Sequence, residues 1–319
     1  MKKTRFTKSL PSPKALFLIA LIGLCAVGFT ILAPPFIKVQ NLYSMVLNAS
    51  MPAILALAMG IVITSGGFDL CIGHTAGFAS LMCGYFLRSL EMGAVYAIIA
   101  ALFLALLIGA INGLIVSKLG ISSFIATLGM QFVLVGVRQW ITSGDSYRAN
   151  KEIRSIAQND VGGISNLILI SIAILLVIGF LMQKTKFGRK MHFVGSNIIA
   201  SEYCGISIRR ITFLSFLISG AISGVVGILQ FSRLTSATIN IGDGWLFNAM
   251  TIAVFSHVIF GRFMAQGILI VSLLVTMVTT GINMLGVSSA WTNFVLGIIL
   301  LSALLGGKYS NHSRKKKEI

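Results

Sequence analysis

Charged side chains are scarce in this sequence. Across 319 residues, Asp, Glu, Lys and Arg together make up 10%, where a soluble domain carries roughly 25%. That is too few to cover a water-facing globule of this size, which excludes an ordinary soluble enzyme or binding domain. Acids are rarer still, eight in all and scattered. No paired-carboxylate or Ser/His/Asp arrangement stands out. The four cysteines, Cys25, Cys71, Cys83 and Cys204, lack metal or redox spacing, and three fall in or beside apolar segments as ordinary buried thiols. His74 and His257 lie nearest the apolar segments but have no second ligand set at useful spacing. The pattern GxxxxGK[ST] does not occur, so the chain has no P-loop of its own for ATP. No metal, cofactor or catalytic residue is expected. The net charge of +17 does not mark a nucleic-acid partner, because the basic residues are segregated between apolar runs. Proline is sparse, five residues against 33 glycines, which suits close helix packing in a membrane.

What fills the chain is apolar: 56% of residues are hydrophobic and the mean hydropathy is +0.94. Runs near 20 residues recur, long enough to cross a hydrocarbon core of ~30 Å. The expected fold class is an all-α integral membrane protein, a polytopic bundle of about ten transmembrane helices near 15–33, 43–64, 74–87, 93–116, 122–141, 163–182, 211–231, 246–261, 266–283 and 290–306. The third and eighth are short and Gly-rich or polar, as tilted, broken or re-entrant helices are. Lys2, Lys3, Arg5 and Lys8 before the first apolar run resemble a signal peptide, but that run is too long and other spans follow. It reads as a retained helix. The organisation expected is a basic cytoplasmic N-terminus (1–14), a single transmembrane domain (15–306) and a basic cytoplasmic tail (307–319). With both termini cytoplasmic, 18 of the 25 Lys and Arg residues fall in inside segments and seven outside, in accord with the positive-inside rule. Residues 142–162 then form a periplasmic loop and 183–210 a cytoplasmic one.

Three segments carry chemistry. The first is Thr64-Ser65-Gly66-Gly67-Phe68-Asp69-Leu70-Cys71-Ile72-Gly73-His74, between two apolar runs. Gly66, Gly67 and Gly73 permit conformations and close approaches that other residues resist. An acid near membrane depth costs roughly 2.5–3.5 kcal/mol at a helix centre, so Asp69 faces protein or a wet cavity. Two compatible readings stand: a polar turn with Asp69 capping the next helix, or a broken helix beside a translocation path. The second is the 183–210 loop. Ser196 or Asn197 can cap, and Gly205 can end, a helix of about two turns. A helix this short needs a docking surface, which is either the membrane and its own bundle or a partner protein. The third, Ser232-Arg233 and Asn240 to Trp245, reads as a turn-rich outer connector with Asp243 capping the eighth helix.

At these residues the chain resembles the inner-membrane permease family of ribose-type sugar importers, which also includes the autoinducer-2 importers. Gly66-Gly67-Phe68-Asp69-Leu70-Cys71-Ile72-Gly73 is similar to GGIDLS followed by V-G. Asn112-Gly113, then Lys118 to Gly129, is similar to NG…PPFIATLG. Thr185 to Arg189, then Gly195-Ser196-Asn197, Ala200 and Gly205-Ile206-Ser207, is similar to T-x-FGR…GGN..AA..SGI, and Ser219-Gly220 and Ser232-Arg233 continue the series. The match spans roughly 41–306, with four loose motifs in register. It departs at Cys71 and Ser201. It departs again at Phe255 to Arg262, where the family has a glycine-rich turn.

The resemblance implies a permease subunit of an ATP-binding cassette importer for a sugar or sugar-like solute, in the bacterial inner membrane. Its implied partners are a second permease chain, alike or paired, two cytoplasmic ATPase subunits, a periplasmic solute-binding protein and the lipid bilayer. ATP hydrolysis would belong to the separate ATPase. Gly66, Gly67, Asp69 and Gly73 become candidates for the translocation pathway. Asn197, Ile199, Ala200, Glu202, Tyr203 and Gly205 become candidates for a coupling helix. Other readings are a branched-chain amino acid permease, an ATP-independent secondary transporter, and a non-transporting subunit of a heterodimeric permease.

Overall fold

Apolar runs dictate helices here because, in lipid, backbone polar groups must be satisfied within the segment. The computed structural model describes residues 13–287 and, beyond them, Trp291, Phe294, Val295, Gly297, Ile298 and Leu301. Its described residues form a predominantly helical integral membrane protein. Its main helices are α1 (Pro13–Leu32), α2 (Val39–Thr64), α3 (Ile72–Arg88), α4 (Ala94–Leu119) and α5 (Ser123–Thr142). They continue with α6 (Lys151–Gln158), α7 (Asn166–Lys184), α8 (Lys186–Ser196), α9 (Ile198–Tyr203), α10 (Ile208–Leu234), α11 (Trp245–Phe260) and α12 (Ala265–Met284). Among the described residues, α2, α4, α5, α7, α10 and α12 are long and apolar enough to cross a membrane. The expected helix at 290–306 lies for the most part outside the described residues, as do the basic termini.

The boundaries differ from expectation in instructive places. The third helix starts at Ile72 rather than 74. The 142–162 loop contains α6, whose N-cap Asn150 accepts a hydrogen bond from the Ile153 amide at 3.0 Å. Two-residue strands frame it. Strand β1 (Tyr147–Arg148) pairs antiparallel with β4 (Ser236–Ala237), and β2 (Asp160–Val161) pairs with β3 (Ile164–Ser165). These elements escape a hydropathy reading because they are short and polar. In the altered segment 255–262, Gly261 takes φ +69° and closes α11, so a single glycine provides that left-handed turn.

Helix α2 is the hub. It is buried along most of its length from Met45 to Thr64 and touches α7, α10, α11 and α12. Helices α4 and α10 cross through small residues. A Cβ on Gly109 would lie 2.6 Å from the Phe216 carbonyl oxygen, and one on Gly220 would lie 2.6 Å from that of Ala105. Gly224 and Gly113 extend the same seam. Where lipid tails are as apolar as leucine, such close packing is a principal source of helix association. Outward faces of α1, α4, α5 and α7 carry exposed Leu, Ile, Val and Phe, the surface of a body solvated by lipid or covered by another chain.

Candidate functional site

The link between α2 and α3 is an irregular stretch between two apolar helices, buried within the bundle at Ser65 and from Leu70 to Cys71. Helix α2 ends as Thr64 Oγ1 donates to the Gly60 carbonyl at 2.6 Å and Ser65 Oγ to that of Val62 at 2.8 Å. The chain then turns at Gly66, with φ +91°. From Phe68 to Cys71 the backbone leaves the helical ladder, and neighbouring side chains satisfy it. The Phe68 amide donates to Ser123 Oγ at 3.0 Å, and the Leu70 amide to Thr127 Oγ1 at 3.0 Å, both from α5. Irregular backbone is tolerated within a bilayer only when protein or water satisfies it.

Asp69 is the centre of this arrangement. It is 3% exposed. Ser219 Oγ of α10 donates to Oδ2 at 2.7 Å, while Oδ1 accepts from the Cys71 amide at 3.2 Å and the Cys71 thiol at 3.0 Å. Asn112 of α4 donates to Cys71 Sγ at 3.0 Å. Ser219 lies eleven residues after Ile208, the first of α10, or about 16 Å along its axis at ~1.5 Å per residue. The carboxylate therefore joins the start of α3 to the middle of α10. Cys71, rather than Asp69, occupies the N-cap of α3, although Asp69 does receive the Cys71 amide.

The glycines have separate roles. Gly67 packs on Ser123 and Val62. A Cβ on Gly73 would lie 2.7 Å from the Gly242 carbonyl oxygen, and one on Gly77 would run into that of Ile241. Residues 241–245 thus rest on the first turns of α3. Gly77 was not legible as a site residue; its only signal is the Gly73-xxx-Gly77 spacing.

Arg138 was also missed as a buried group. The charge count places it in an outer segment, yet it is 1% exposed on α5. Its Nη1 donates to the Ile241 carbonyl at 2.8 Å, and its Nη2 lies 3.1 Å from His74 Nδ1 and 3.4 Å from Asp243 Oδ1. Asp243 does not cap the eighth expected helix. Gly244, with φ +78°, takes that position without a side-chain bond. The reason is electrostatic: a buried guanidinium needs a partner more than an exposed helix end needs a cap.

The α8–α9 region is built by caps. Thr185 Oγ1 accepts from the Gly188 amide at 3.2 Å and starts α8. Asn197 Oδ1 accepts from the Ala200 amide at 2.9 Å and starts α9. Gly205 follows with φ +71°. Ser201 alone of α9 is buried. Asn197, Ile199, Ala200, Glu202 and Gly205 are exposed, and Tyr203 is 89% exposed. Beside them a cleft of about 590 Å³ is lined by Lys184, Arg189, His192, Phe193 and Arg262 among others. Burial, reinforced by nearby His257 and Arg262, holds the His192 imidazole below its ordinary pKa. This region also reaches the irregular link. A Cβ on Gly195 would run into the Thr64 carbonyl, and Gly195 Cα lies 3.8 Å from the Cβ position of Gly66. The C-terminal end of α8 therefore sits directly on the α2–α3 turn.

Residues 41–304 match the family model described as branched-chain amino acid transport system / permease component. The chain is 30% identical over 297 residues to the ribose import permease protein RbsC of Escherichia coli strain K12, a match covering 90% of this chain and 91% of that one. It is 30% identical over 291 residues to the probable ABC transporter permease protein YphD of the same strain, covering 90% and 87%. It is 25% identical over 292 residues to that strain's galactose/methyl galactoside import permease protein MglC, covering 85% and 87%. With the family pattern running over most of its length, the chain belongs to the family of branched-chain amino acid transport system permease components, alongside the ribose and galactose import permeases.

Proposed function

We propose that this protein is the membrane-spanning permease subunit of an ATP-binding cassette importer in the bacterial inner membrane, carrying a sugar or sugar-like solute. The observation that carries this reading is the near full-length likeness to sugar import permeases. The family's name refers to amino acids, but the relatives matched over most of the chain include permeases named for ribose and galactose. The chain hydrolyses no ATP itself in this reading. Two ATPase subunits do so from the cytoplasm, a periplasmic binding protein delivers the solute, and a second permease chain completes the pathway.

The mechanism follows from the contact between α8 and the α2–α3 link. Helix α9 offers an exposed face of Ile198, Ile199 and Tyr203 with Glu202 beside it. A helix of six residues is too short to persist unaided, and an acid does not suit a purely lipid-facing surface. A groove in the ATPase fits both features. Movement of α8 and α9 on ATP binding would press Gly195 against Thr64 and Gly66. The link held by Gly66, Gly67, Asp69 and Gly73 would pass that movement to α3 and the pathway. Single cysteines at 199, 202 and 203 are expected to crosslink to the co-expressed ATPase in the active assembly. Crosslinks only to lipid or to the permease's own helices would reject the coupling role.

The transmembrane domain is proposed to hold ten spans within 15–306, with 1–14, 183–210 and 307–319 all cytoplasmic. Reporter fusions at the C-terminus are expected to be active on the cytoplasmic side, and fusions within 142–162 on the periplasmic side. A periplasmic C-terminus would overturn both this topology and the placement of α9.

A further inference from the structure

The cleft beside α8 continues into a second hollow. The cleft itself, of about 590 Å³, opens between the end of α7, α8 and the turn from α11 to α12. Next to it lies a groove of about 300 Å³ between α7 and α12. Gln183 and Lys184 line both. The two halves differ in chemistry. Lys184, Arg189 and Arg262 border the cleft, and no acid is among the described residues that line it. The groove is apolar. Leu175 and Ala265, both buried, back it, and exposed Leu176, Phe180 and Leu269 edge it. Its residues on α7 recur at spacings of three and four, so they share one face of that helix.

Charge and length select the occupant. Among the described residues, the ion pairs are those of Asp243 with His74 and Arg138, so the three cations at the cleft have no carboxylate beside them. Arg189 Nη1 donates to the Lys184 carbonyl at 3.3 Å, which holds the guanidinium at the end of α7. Positive charge is thus gathered at one place without a counter-charge, and an anion would supply it. A free anion would fill the cleft and leave the groove empty. An acidic segment of a cytoplasmic protein would do the same, because the groove runs back along the lipid-facing side of α7. From Lys184 back to Ile172, the far end of the groove on α7, is about 18 Å at ~1.5 Å per residue. That is slightly more than half of a hydrocarbon core of ~30 Å, the depth that an acyl chain of one leaflet reaches. A phosphate carried on an acyl chain fills both halves, and basic pockets between membrane helices are places where anionic headgroups bind.

We propose that the cleft and the groove together hold one anionic phospholipid, with its phosphate among Lys184, Arg189 and Arg262 and one acyl chain between α7 and α12. The choice of the cytoplasmic leaflet rests on the proposed topology; the binding chemistry does not. Full-length permease in detergent is titrated with phosphatidylglycerol, with phosphatidylcholine and inorganic phosphate as separate arms, and native mass spectrometry counts the bound lipid. One phosphatidylglycerol is expected to bind saturably and phosphatidylcholine more weakly, and phosphate is expected not to displace the lipid. Lys184→Gln and Arg262→Gln are each expected to weaken binding about fivefold, the contribution of one cation near an anionic headgroup. Leu269→Trp, which fills the groove and leaves the charges in place, is expected to weaken it as well. Lys118→Gln, at an exposed cation near the end of α4, is the matched control and is expected to leave binding unchanged. All four side chains are exposed, so the variants are expected to fold. Equal binding of the two lipids, displacement by phosphate, an equal loss in Lys118→Gln, or unchanged binding in the cleft and groove variants would overturn the proposal. Loss of the co-purified ATPase from those variants with lipid still bound would make the cleft a protein contact and overturn it too. Uptake and reporter fusions are scored separately, so failed lipid binding leaves the importer reading and the topology standing.

Discussion

Gly227→Val is expected to remove folded protein from the membrane. Gly227 faces α3 so closely that a Cβ would run into the Ala76 carbonyl and lie 3.0 Å from the Ser80 amide nitrogen. Both neighbours are backbone, so no side chain can swing away and the helices must separate. Overpacking a core costs roughly 1–3 kcal/mol where side chains can adjust, and parting two helices costs more. The same separation would strain the α4–α10 seam and the Ser219–Asp69 bond, since all lie on α10. Gly28→Val is the matched control, because nothing lies within 4 Å of the added Cβ. Size-exclusion profiles of detergent extracts check the pair. Monodisperse Gly227→Val at wild-type yield would show that α3 and α10 can part freely.

Asp69→Asn is expected to leave the protein at normal level and to lower uptake about tenfold, the effect of weakening roughly one hydrogen bond to a charged group. The carboxylate only accepts, from Ser219 on one oxygen and Cys71 on the other. An amide replaces one acceptor with a donor, so either Ser219 or Cys71 meets a mismatch. Folding survives because α2, α10 and their glycine seams are untouched. The joint between α3 and α10 loosens, and in the proposed mechanism that joint carries movement from α8. Asp69→Leu removes both acceptors, and each buried donor left behind costs about 1–3 kcal/mol, so yield is expected to fall as well. Ser219→Ala is expected to mimic Asp69→Asn, and the double variant should be no worse than either alone, as residues acting through one contact behave. Normal uptake by Asp69→Asn at normal level would reduce the segment to a helix-capping turn.

Local features were read from the sequence because their causes are local. An apolar run near 20 residues has few structures available in lipid, and the positions of α2, α4, α5, α7, α10 and α12 follow from it. The break around Gly66 to Gly73 announces itself as glycines and an acid between two such runs. Asn197 and Gly205 mark the ends of α9 because a cap acts within three residues of its helix. Short polar elements such as α6 did not announce themselves, since hydropathy has nothing to say about them.

Contacts across the chain were decided by the tertiary structure alone. Ser219 meets Asp69 from 150 residues away, and no pattern around either residue names the other. Arg138 reads as an outer-loop charge until the fold buries it against Ile241, His74 and Asp243. Lys184, Arg189 and Arg262 read as ordinary inside-loop charges until α7, α8 and the α11–α12 turn bring them to one cleft. Periodicity and capping act over one or two turns, so the sequence by itself determined where helices form and where they break. Which faces meet depends on how closely whole helices approach, and only the assembled bundle decides that.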